Sequence, residues 1–323
     1  MKVFILTLGC KVNQAESASL ERRVLAMGNE LVSTAEEADE IIVNTCAVTA
    51  EAARKSRQAL RRVSASGKKV YAAGCYPKID RDAVDELGVE IIDIADGVGA
   101  KPVKRTRALL KVQDGCENYC SYCVIPYARG ESKSLPLAEC VSAIRGFAAQ
   151  GVKETIITGV EISSWGYDLQ EPVTLADLIL ALSEAAPDMR LTLGSLEPRV
   201  VTDKFCETIA GEITGKFHLS LQSGCDSVLK RMNRRYDTAR FKESVTLLRK
   251  YFMECFISAD VIVGFPGETE EEFEQTYEFL RELRLDKLHV FPYSPRPGTP
   301  AAEMNGQLEK AVKALRAARL REI

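Results

Sequence analysis

The segment Asp114–Cys123 reads DGCENYCSYC and sets three cysteines, Cys116, Cys120 and Cys123, at C-x3-C-x2-C spacing just after an apolar run. A compact loop with this spacing can bring three thiolates to one point, and thiolates are the usual ligands of iron–sulfur clusters. A structural zinc site needs a fourth ligand nearby, which this spacing does not provide. Three ligands on a four-iron cluster leave one iron open for a small molecule. Three buried or zinc-binding cysteines are the alternative interpretation.

Before this loop, apolar runs alternate with stretches of helical periodicity, which predicts parallel strands covered by helices. We therefore expect a small open parallel α/β domain over residues 1–100, followed by a basic, Pro-containing linker over residues 101–107. The predicted strands are Val3–Leu8, Ile41–Val43, Val70–Ala73 and Glu90–Ile94, and the predicted helices are Glu16–Met27, Ala50–Val63 and Asp80–Leu87.

A second series of six β-α units begins near Arg107 and predicts a partial (β/α)6 TIM-like barrel over residues 108–305, with its site on the loops after the strands. The strands are predicted at Ala108–Val112, Thr155–Thr158, Leu191–Leu193, Phe217–Leu221, Ser258–Val263 and Lys287–Phe291, and the helices at Leu137–Gln150, Leu175–Glu184, Ala239–Phe252 and Glu270–Leu283. Residues 306–323 are predicted to form a C-terminal helix. This helix lacks a Gly, Asn or Pro stop signal, so we expect the natural protein to continue beyond it.

The composition is ordinary for a soluble globular protein, except for the number of cysteines. Hydrophobic residues make up 46% of the 323 residues, charged residues 28%, and the net charge is −3. No apolar run approaches the ~18 residues of a membrane-spanning helix, and the N-terminus does not read as a secretory signal. We therefore expect a cytoplasmic protein without membrane contacts. Ten cysteines in such a chain favour metal or redox chemistry over disulfides.

Three further cysteines, Cys10, Cys46 and Cys75, each follow an apolar run that we interpret as a strand. The carboxyl ends of parallel strands lie on one edge of a sheet, where open α/β folds bind ligands. These thiols can therefore converge on a second metal centre, although any one of them alone would read as a core residue. The other four, which show no ligand spacing, are interpreted as packing residues. They are Cys140, Cys206, Cys225 and Cys255.

The two triplets in this order resemble the radical S-adenosylmethionine (SAM) methylthiotransferases, and the resemblance covers essentially the whole chain. It is carried by TLGCKVNQ, VQDGCENYCSYCVIPYARG, LSLQSG, DVIVGFPGETEEEFEQT and VFPYSPRPGTPA. The GCKVN sequence is most similar to the branch that acts on N6-threonylcarbamoyladenosine in tRNA. Members usually continue into a C-terminal RNA-binding TRAM domain, which this sequence lacks. The missing domain puts RNA affinity in doubt.

The resemblance implies a reaction in which C2–H of N6-threonylcarbamoyladenosine at tRNA position 37 is replaced by C2–SCH3. It implies two [4Fe–4S] clusters, the first on Cys116, Cys120 and Cys123 and the second, auxiliary one on Cys10, Cys46 and Cys75. Two SAM molecules are used per turnover, one as methyl donor and one as the source of a 5′-deoxyadenosyl radical. An external electron donor and a sulfur source are implied as partners.

Alternatives remain at this stage. The substrate of the same chemistry could be isopentenyladenosine in tRNA or an aspartate of a ribosomal protein, and a non-catalytic iron–sulfur protein that binds RNA is a further possibility. Beyond the cluster ligands, no side chain stands out as catalytic.

The resemblance also implies cofactor contacts, each with a plainer alternative. Tyr122 would lie against the adenine, or only pack in its loop. Gly159 and Glu161 would approach the methionine amino group, although Gly159 suits an ordinary turn. Ser220 and Gln222 would bond the ribose or the carboxylate of SAM, or only satisfy a sheet edge. The last predicted contact is Arg129, which would hold a carboxylate or an RNA phosphate, or lie at the surface.

Basic residues are segregated from acidic ones, which can create an electropositive face on a net-negative protein. Residues 54–69, residues 101–111 and the pairs at 230–231 and 234–235 are basic, whereas residues 36–40 and 268–278 are rich in acids. A solvated helix face is the usual explanation of such a run. The resemblance favours tRNA contact by some of these groups.

Overall fold

The computed structural model describes residues 1–94 and 106–323. Its N-terminal part is a parallel sheet of five strands in the order β2-β1-β3-β4-β5. The strands are β1 Lys2–Thr7, β2 Glu30–Leu31, β3 Glu40–Thr45, β4 Lys69–Gly74 and β5 Glu90–Ile91, and the helices are α1 Lys11–Ala26, α2 Ala50–Ser64, α3 Tyr76–Ile79 and α4 Arg81–Asp85. Buried aliphatic residues such as Ile41, Val43 and Leu60 cover one face of this sheet.

The remaining residues form two four-stranded sheets that curl into a half-barrel, with strand orders β7-β6-β8-β9 and β10-β11-β12-β13. All pairs are parallel except β6 with β7. The strands are β6 Arg107–Asp114, β7 Lys133–Ser134, β8 Glu154–Gly159, β9 Arg190–Leu193, β10 Ser195–Leu196, β11 Lys216–Gln222, β12 Phe256–Val263 and β13 Lys287–Pro292. This arrangement confirms the predicted α/β class and the partial barrel.

Helices surround the half-barrel and bury a continuous apolar core that includes the single tryptophan, Trp165. They are α5 Ile125–Arg129, α6 Leu137–Ala149, α7 Leu175–Ala185, α8 Asp203–Ile209, α9 Asp226–Arg231, α10 Thr238–Tyr251, α11 Glu270–Leu283, α12 Pro300–Glu303 and α13 Lys310–Leu320. The last helix docks on the barrel through buried Ala317 and Leu320. Among the described residues, no helix has the length and apolar character needed to cross a bilayer.

The main departure from the predicted elements is the start of α1, which begins at Lys11 rather than Glu16. Its first turns bury polar residues, including Asn13, Glu16 and Ser17, so a search for apolar periodicity misses them. The predicted linker lies outside the described residues up to position 105, and Arg107 already belongs to β6. The domain division at residues 100, 108 and 306 stays a prediction.

Candidate functional site

The loop from β6 to α5 carries Cys116, Cys120 and Cys123, and its shape depends on Gly115. This glycine has φ +69°, and a Cβ there would stand 1.8 Å from the carbonyl oxygen of Glu131. The Cys116 amide donates to the Gly130 carbonyl at 3.0 Å, and the Cys123 amide donates to the Cys120 carbonyl at 2.9 Å. These backbone hydrogen bonds fix the path of the loop that carries the three thiols.

The thiols of this loop interact with one another and with one cation. Burial, with smaller contributions from neighbouring thiols, raises the pKa of Cys116 to about 11 and that of Cys123 to about 12. Arg234, a buried guanidinium stacked 4.7 Å from the Tyr236 ring centroid, donates from Nη1 to the Cys120 Sγ at 3.0 Å. A fixed positive charge beside a sulfur favours the thiolate, which is the form that binds metal.

The second triplet lies at the carboxyl edge of the N-terminal sheet, as the sequence predicts. Cys46 and Cys75 follow β3 and β4 directly, and Cys10 precedes α1. A Cβ at Gly9, where φ is +100°, would meet the Cys46 Cβ at 2.6 Å and its Sγ at 2.9 Å, so only glycine allows this approach. Burial raises the pKa of Cys75 to about 11, with smaller contributions from Cys46 and Cys10.

A buried ion network joins the two halves between the triplets. Arg129, the last residue of α5, donates from Nη1 to the Glu16 Oε1 at 2.7 Å and to the Asp114 Oδ1 at 2.9 Å. Its Nε donates to the Cys75 Sγ at 3.3 Å. The Lys111 Nζ also bonds Glu16, at 2.9 Å, and Asp114, at 2.6 Å. The structure therefore places Arg129 among protein carboxylates and a thiol of the second triplet, not in an open cofactor pocket.

The chemistry of the thiols fits a cluster better than a single ion. Across residues 1–94 and 106–323, no three His, Cys, Asp or Glu side chains converge tightly enough to bind one metal ion. A four-iron cluster makes a different demand, because each thiolate binds its own iron atom. In each half, three free thiols lie within electrostatic reach of one another, and an arginine donates to one of the sulfurs. These groups are chemically suited to hold such a cluster.

The six residues predicted as cofactor contacts do not share one cavity. Tyr122 and Gln222 line a cavity of about 240 Å³ that also reaches Val48 and Thr49 of the N-terminal half. Gln222 has φ +70° and follows a break in the pairing of β11 with β12. The Ser220 carbonyl accepts a hydrogen bond from the Tyr236 hydroxyl, and Ser220 is not among the residues lining this cavity.

Glu161 lines a second cavity, of about 510 Å³, on the other side of the cysteine loop. Its Oε2 accepts from the Asn118 side chain at 3.3 Å, which places it beside the loop. Burial, with a smaller contribution from Glu197, raises the pKa of Glu161. Gly159 packs tightly, because a Cβ there would stand 2.9 Å from the Gln113 carbonyl oxygen.

Several residues at the site have no signal in the sequence. The buried Asn13 and Asn44 side chains bond each other and the strand ends beside the second triplet. Arg234 lies in a run of basic residues that predicts an exposed patch. In the structure it is half-buried, and its guanidinium donates to the Cys120 Sγ. Arg296 is buried in the 240 Å³ cavity. Of the four remaining cysteines, Cys140, Cys206 and Cys225 are buried in the core, and half-buried Cys255 packs against it.

A half-barrel of this topology with a three-thiol loop after its first strand is the architecture of radical SAM enzymes. The Radical SAM superfamily matches residues 110–280, and residues 2–94 match the uncharacterized protein family UPF0004. The cobalamin- and [4Fe–4S]-bound radical SAM methyltransferase TsrM of Kitasatospora setae has a TM-score of 0.70 at 15% identity, over 93% of this chain and 77% of its own. This likeness concerns the fold alone.

Named relatives identify the family within this superfamily. The threonylcarbamoyladenosine tRNA methylthiotransferase MtaB of Bacillus subtilis is 34% identical over 97% of this chain and 78% of its own length. The tRNA-2-methylthio-N(6)-dimethylallyladenosine synthase of Alkaliphilus oremlandii is 30% identical over 99% and 77%. The chain belongs to the radical SAM methylthiotransferase family, a family of transferases that use a [4Fe–4S] cluster and SAM.

Proposed function

We propose that this protein inserts a methylthio group at C2 of N6-threonylcarbamoyladenosine at position 37 of tRNA. One observation carries the proposal: two thiol triplets lie at the edges of two sheets, and the short helix α5 links them. Cys123 stands just before α5, and Arg129 at its end reaches Cys75. Two clusters side by side suit a reaction that needs both a radical and a sulfur delivered to one carbon.

In this proposal, Cys116, Cys120 and Cys123 hold the SAM-binding cluster, and Cys10, Cys46 and Cys75 hold an auxiliary [4Fe–4S] cluster. When bound, the clusters and two SAM molecules supply the radical, the sulfur and the methyl group. Tyr122 and Gln222 face the cavity shared by the two halves, and Glu161 faces the cavity beside the loop. An external electron donor and sulfur source complete the requirements. We assign the two halves to residues 1–100 and 108–305. The C-terminal helix predicted over residues 306–323 is shorter in the structure, where α13 spans Lys310–Leu320.

The protein itself holds the two triplets in position and limits the access of water to the cavity. Arg129 and Lys111 bridge Glu16 of the first half and Asp114 of the second, so the two triplets are held in a fixed relation. The lining of the smaller cavity is mostly apolar, with Tyr293 and Ile262 on one wall. A largely apolar cavity limits the access of water to a reactive radical and keeps the substrate near both triplets.

The basic segments differ in their availability to tRNA. Helix α2 exposes Arg61 and Arg62, and it begins beside Val48 and Thr49 at the mouth of the smaller cavity. Arg231 and Arg234, by contrast, are bonded to Glu272 and Cys120 within the protein. The α2 face is therefore the better candidate for phosphate contacts.

The relatives named as dimethylallyladenosine synthases, at 30–32% identity, support a second candidate substrate, the dimethylallyl analogue of the same nucleoside. The relatives named as acting on threonylcarbamoyladenosine are 32–34% identical. This small difference favours the threonylcarbamoyl substrate.

Nucleoside mass spectrometry of tRNA tests the proposal directly. A strain that lacks the methylthiotransferase gene should accumulate N6-threonylcarbamoyladenosine, and expression of this protein should convert it to the 2-methylthio form. The C10A/C46A/C75A variant should restore nothing, although it should still cleave SAM in vitro. Conversion of the dimethylallyl nucleoside instead would establish the second candidate, and conversion of neither would refute the proposal.

A further inference from the structure

Arg296 occupies an unusual position in the cavity between the two halves. It follows β13 and is only 6% exposed. The cavity, of about 240 Å³, is lined by Val48 and Thr49 from the N-terminal half and by Gln222 and Asp260 from the barrel. The Arg296 carbonyl accepts hydrogen bonds from the Thr299 amide at 3.1 Å and from its hydroxyl at 2.7 Å, so the backbone at this site is fixed by its own loop.

The guanidinium of Arg296 makes no hydrogen bond or ion pair with any residue of the described ranges, and its Nε is buried without an acceptor. Arg231 and Arg316 also have an unbonded Nε, but their other nitrogens pair with Glu272 and Glu268. A buried guanidinium without an anion is costly, and such groups in proteins are normally paired.

The surroundings do not neutralise this charge. Asp260 is the carboxylate in the cavity lining, and its Oδ2 lies 3.0 Å from the His218 Nε2 instead. Burial lowers the pKa of Arg296, whereas Cys46 and Tyr76 raise it, which places the guanidinium within electrostatic reach of the second triplet. The unsatisfied cation therefore points into the space where the proposed reaction would occur.

We propose that Arg296 binds an oxyanion of the substrate nucleotide in this cavity. The inference rests on the proposed function and deepens it. Two groups of that substrate have the required chemistry: the carboxylate of the threonyl moiety and a backbone phosphate. The planar guanidinium fork matches either one through two parallel hydrogen bonds. The dimethylallyl group has no charge, so a contact to the carboxylate would also select between the two candidate substrates.

The test measures binding without turnover. The protein, with its clusters reconstituted under anaerobic conditions, is titrated without reductant with three anticodon stem–loops. One carries N6-threonylcarbamoyladenosine, one its threonyl methyl ester, and one unmodified adenosine. The variants are R296Q, R296K and, as a control at an exposed surface pair, R281Q. Trp165 fluorescence verifies that each variant folds.

We expect R296Q to weaken binding of the threonylcarbamoyl stem–loop by about 10- to 100-fold, with R296K intermediate and R281Q unchanged. A loss confined to the free acid identifies the carboxylate as the ligand, and an equal loss on all three stem–loops identifies a phosphate. Wild-type affinity of R296Q for all three stem–loops would overturn the inference. If the wild-type protein binds no stem–loop, the proposed function itself fails.

Discussion

At the scale of single residues, Arg129 does the most to join the two halves. Its guanidinium is 8% exposed and pairs with Glu16 and Asp114, while Lys111 faces the same two carboxylates. These partners, together with Cys75, raise the pKa of Arg129, although burial alone would lower it. An ion pair in such surroundings costs desolvation when it forms, and it is expensive to break from one side only.

We therefore predict that R129A lowers the free energy of unfolding by about 3 kcal/mol, because Lys111 alone cannot balance two buried carboxylates. Urea unfolding followed by the fluorescence of Trp165, the single tryptophan in the barrel core, measures this loss. The exposed pair of Arg281 and Glu278 provides the control, since R281A should change stability by less than about 1 kcal/mol. Equal effects of the two variants would contradict a structural role for the network.

The sequence was enough to predict which cysteines group together, but not which residues contact them. Cys10, Cys46 and Cys75 could be predicted as a group because each follows a predicted strand. The carboxyl ends of parallel strands lie on one edge of a sheet, so the order of strands in the sequence is enough to place these cysteines there. The pairing of Arg129 with Glu16 joins residues 113 positions apart and follows only from the docking of the two halves. Arg296 could not be singled out, because the absence of a partner is a property of three-dimensional packing.

At the scale of elements, the cysteine loop depends on a backbone conformation that only glycine adopts at low cost. Gly115 has φ +69° and leaves no room for a Cβ, because the Glu131 carbonyl oxygen would stand 1.8 Å away. We predict that G115A prevents cluster binding by this loop. Iron content and visible absorbance after anaerobic reconstitution, in a C10A/C46A/C75A background, report on this loop alone.

A matched control lies just after α5. Gly130 has a similar φ of +74°, but a Cβ there would meet nothing within 4 Å. Gly130 has ψ −156°, a backbone conformation that residues other than glycine rarely adopt. G130A should therefore cost about 1–3 kcal/mol of backbone strain but, without a steric clash, keep the cluster. If G115A and G130A retain the same amount of iron, the steric explanation of the loop is wrong.

The regular elements were predictable where apolar periodicity is strong. All six predicted barrel strands begin and end within two residues of their predicted bounds. The same holds for five predicted helices, which are α2, α6, α7, α10 and α11. The start of α1 was missed because its inner face is polar, with Asn13 and Ser17 buried against Asn44 and Thr7 of the sheet. The short helices α3 and α5 have too few turns to show a period.

At the scale of the whole molecule, two α/β units present their thiol-bearing edges to a common region, with α5 and the Arg129 network between them. The smaller cavity takes lining residues from both units, Thr49 from one and Tyr122 from the other. This arrangement brings residues that are far apart in the sequence to one region of the molecule. The proposed function therefore depends on the claim that the protein binds two clusters.

Iron content after anaerobic reconstitution tests that claim most directly. The wild-type chain should bind about eight irons, and C10A/C46A/C75A and C116A/C120A/C123A about four each. As a control, C140A/C206A replaces two core cysteines and should keep all eight, provided it folds. About four irons in the wild-type protein, or no loss of iron in C10A/C46A/C75A, would contradict the account.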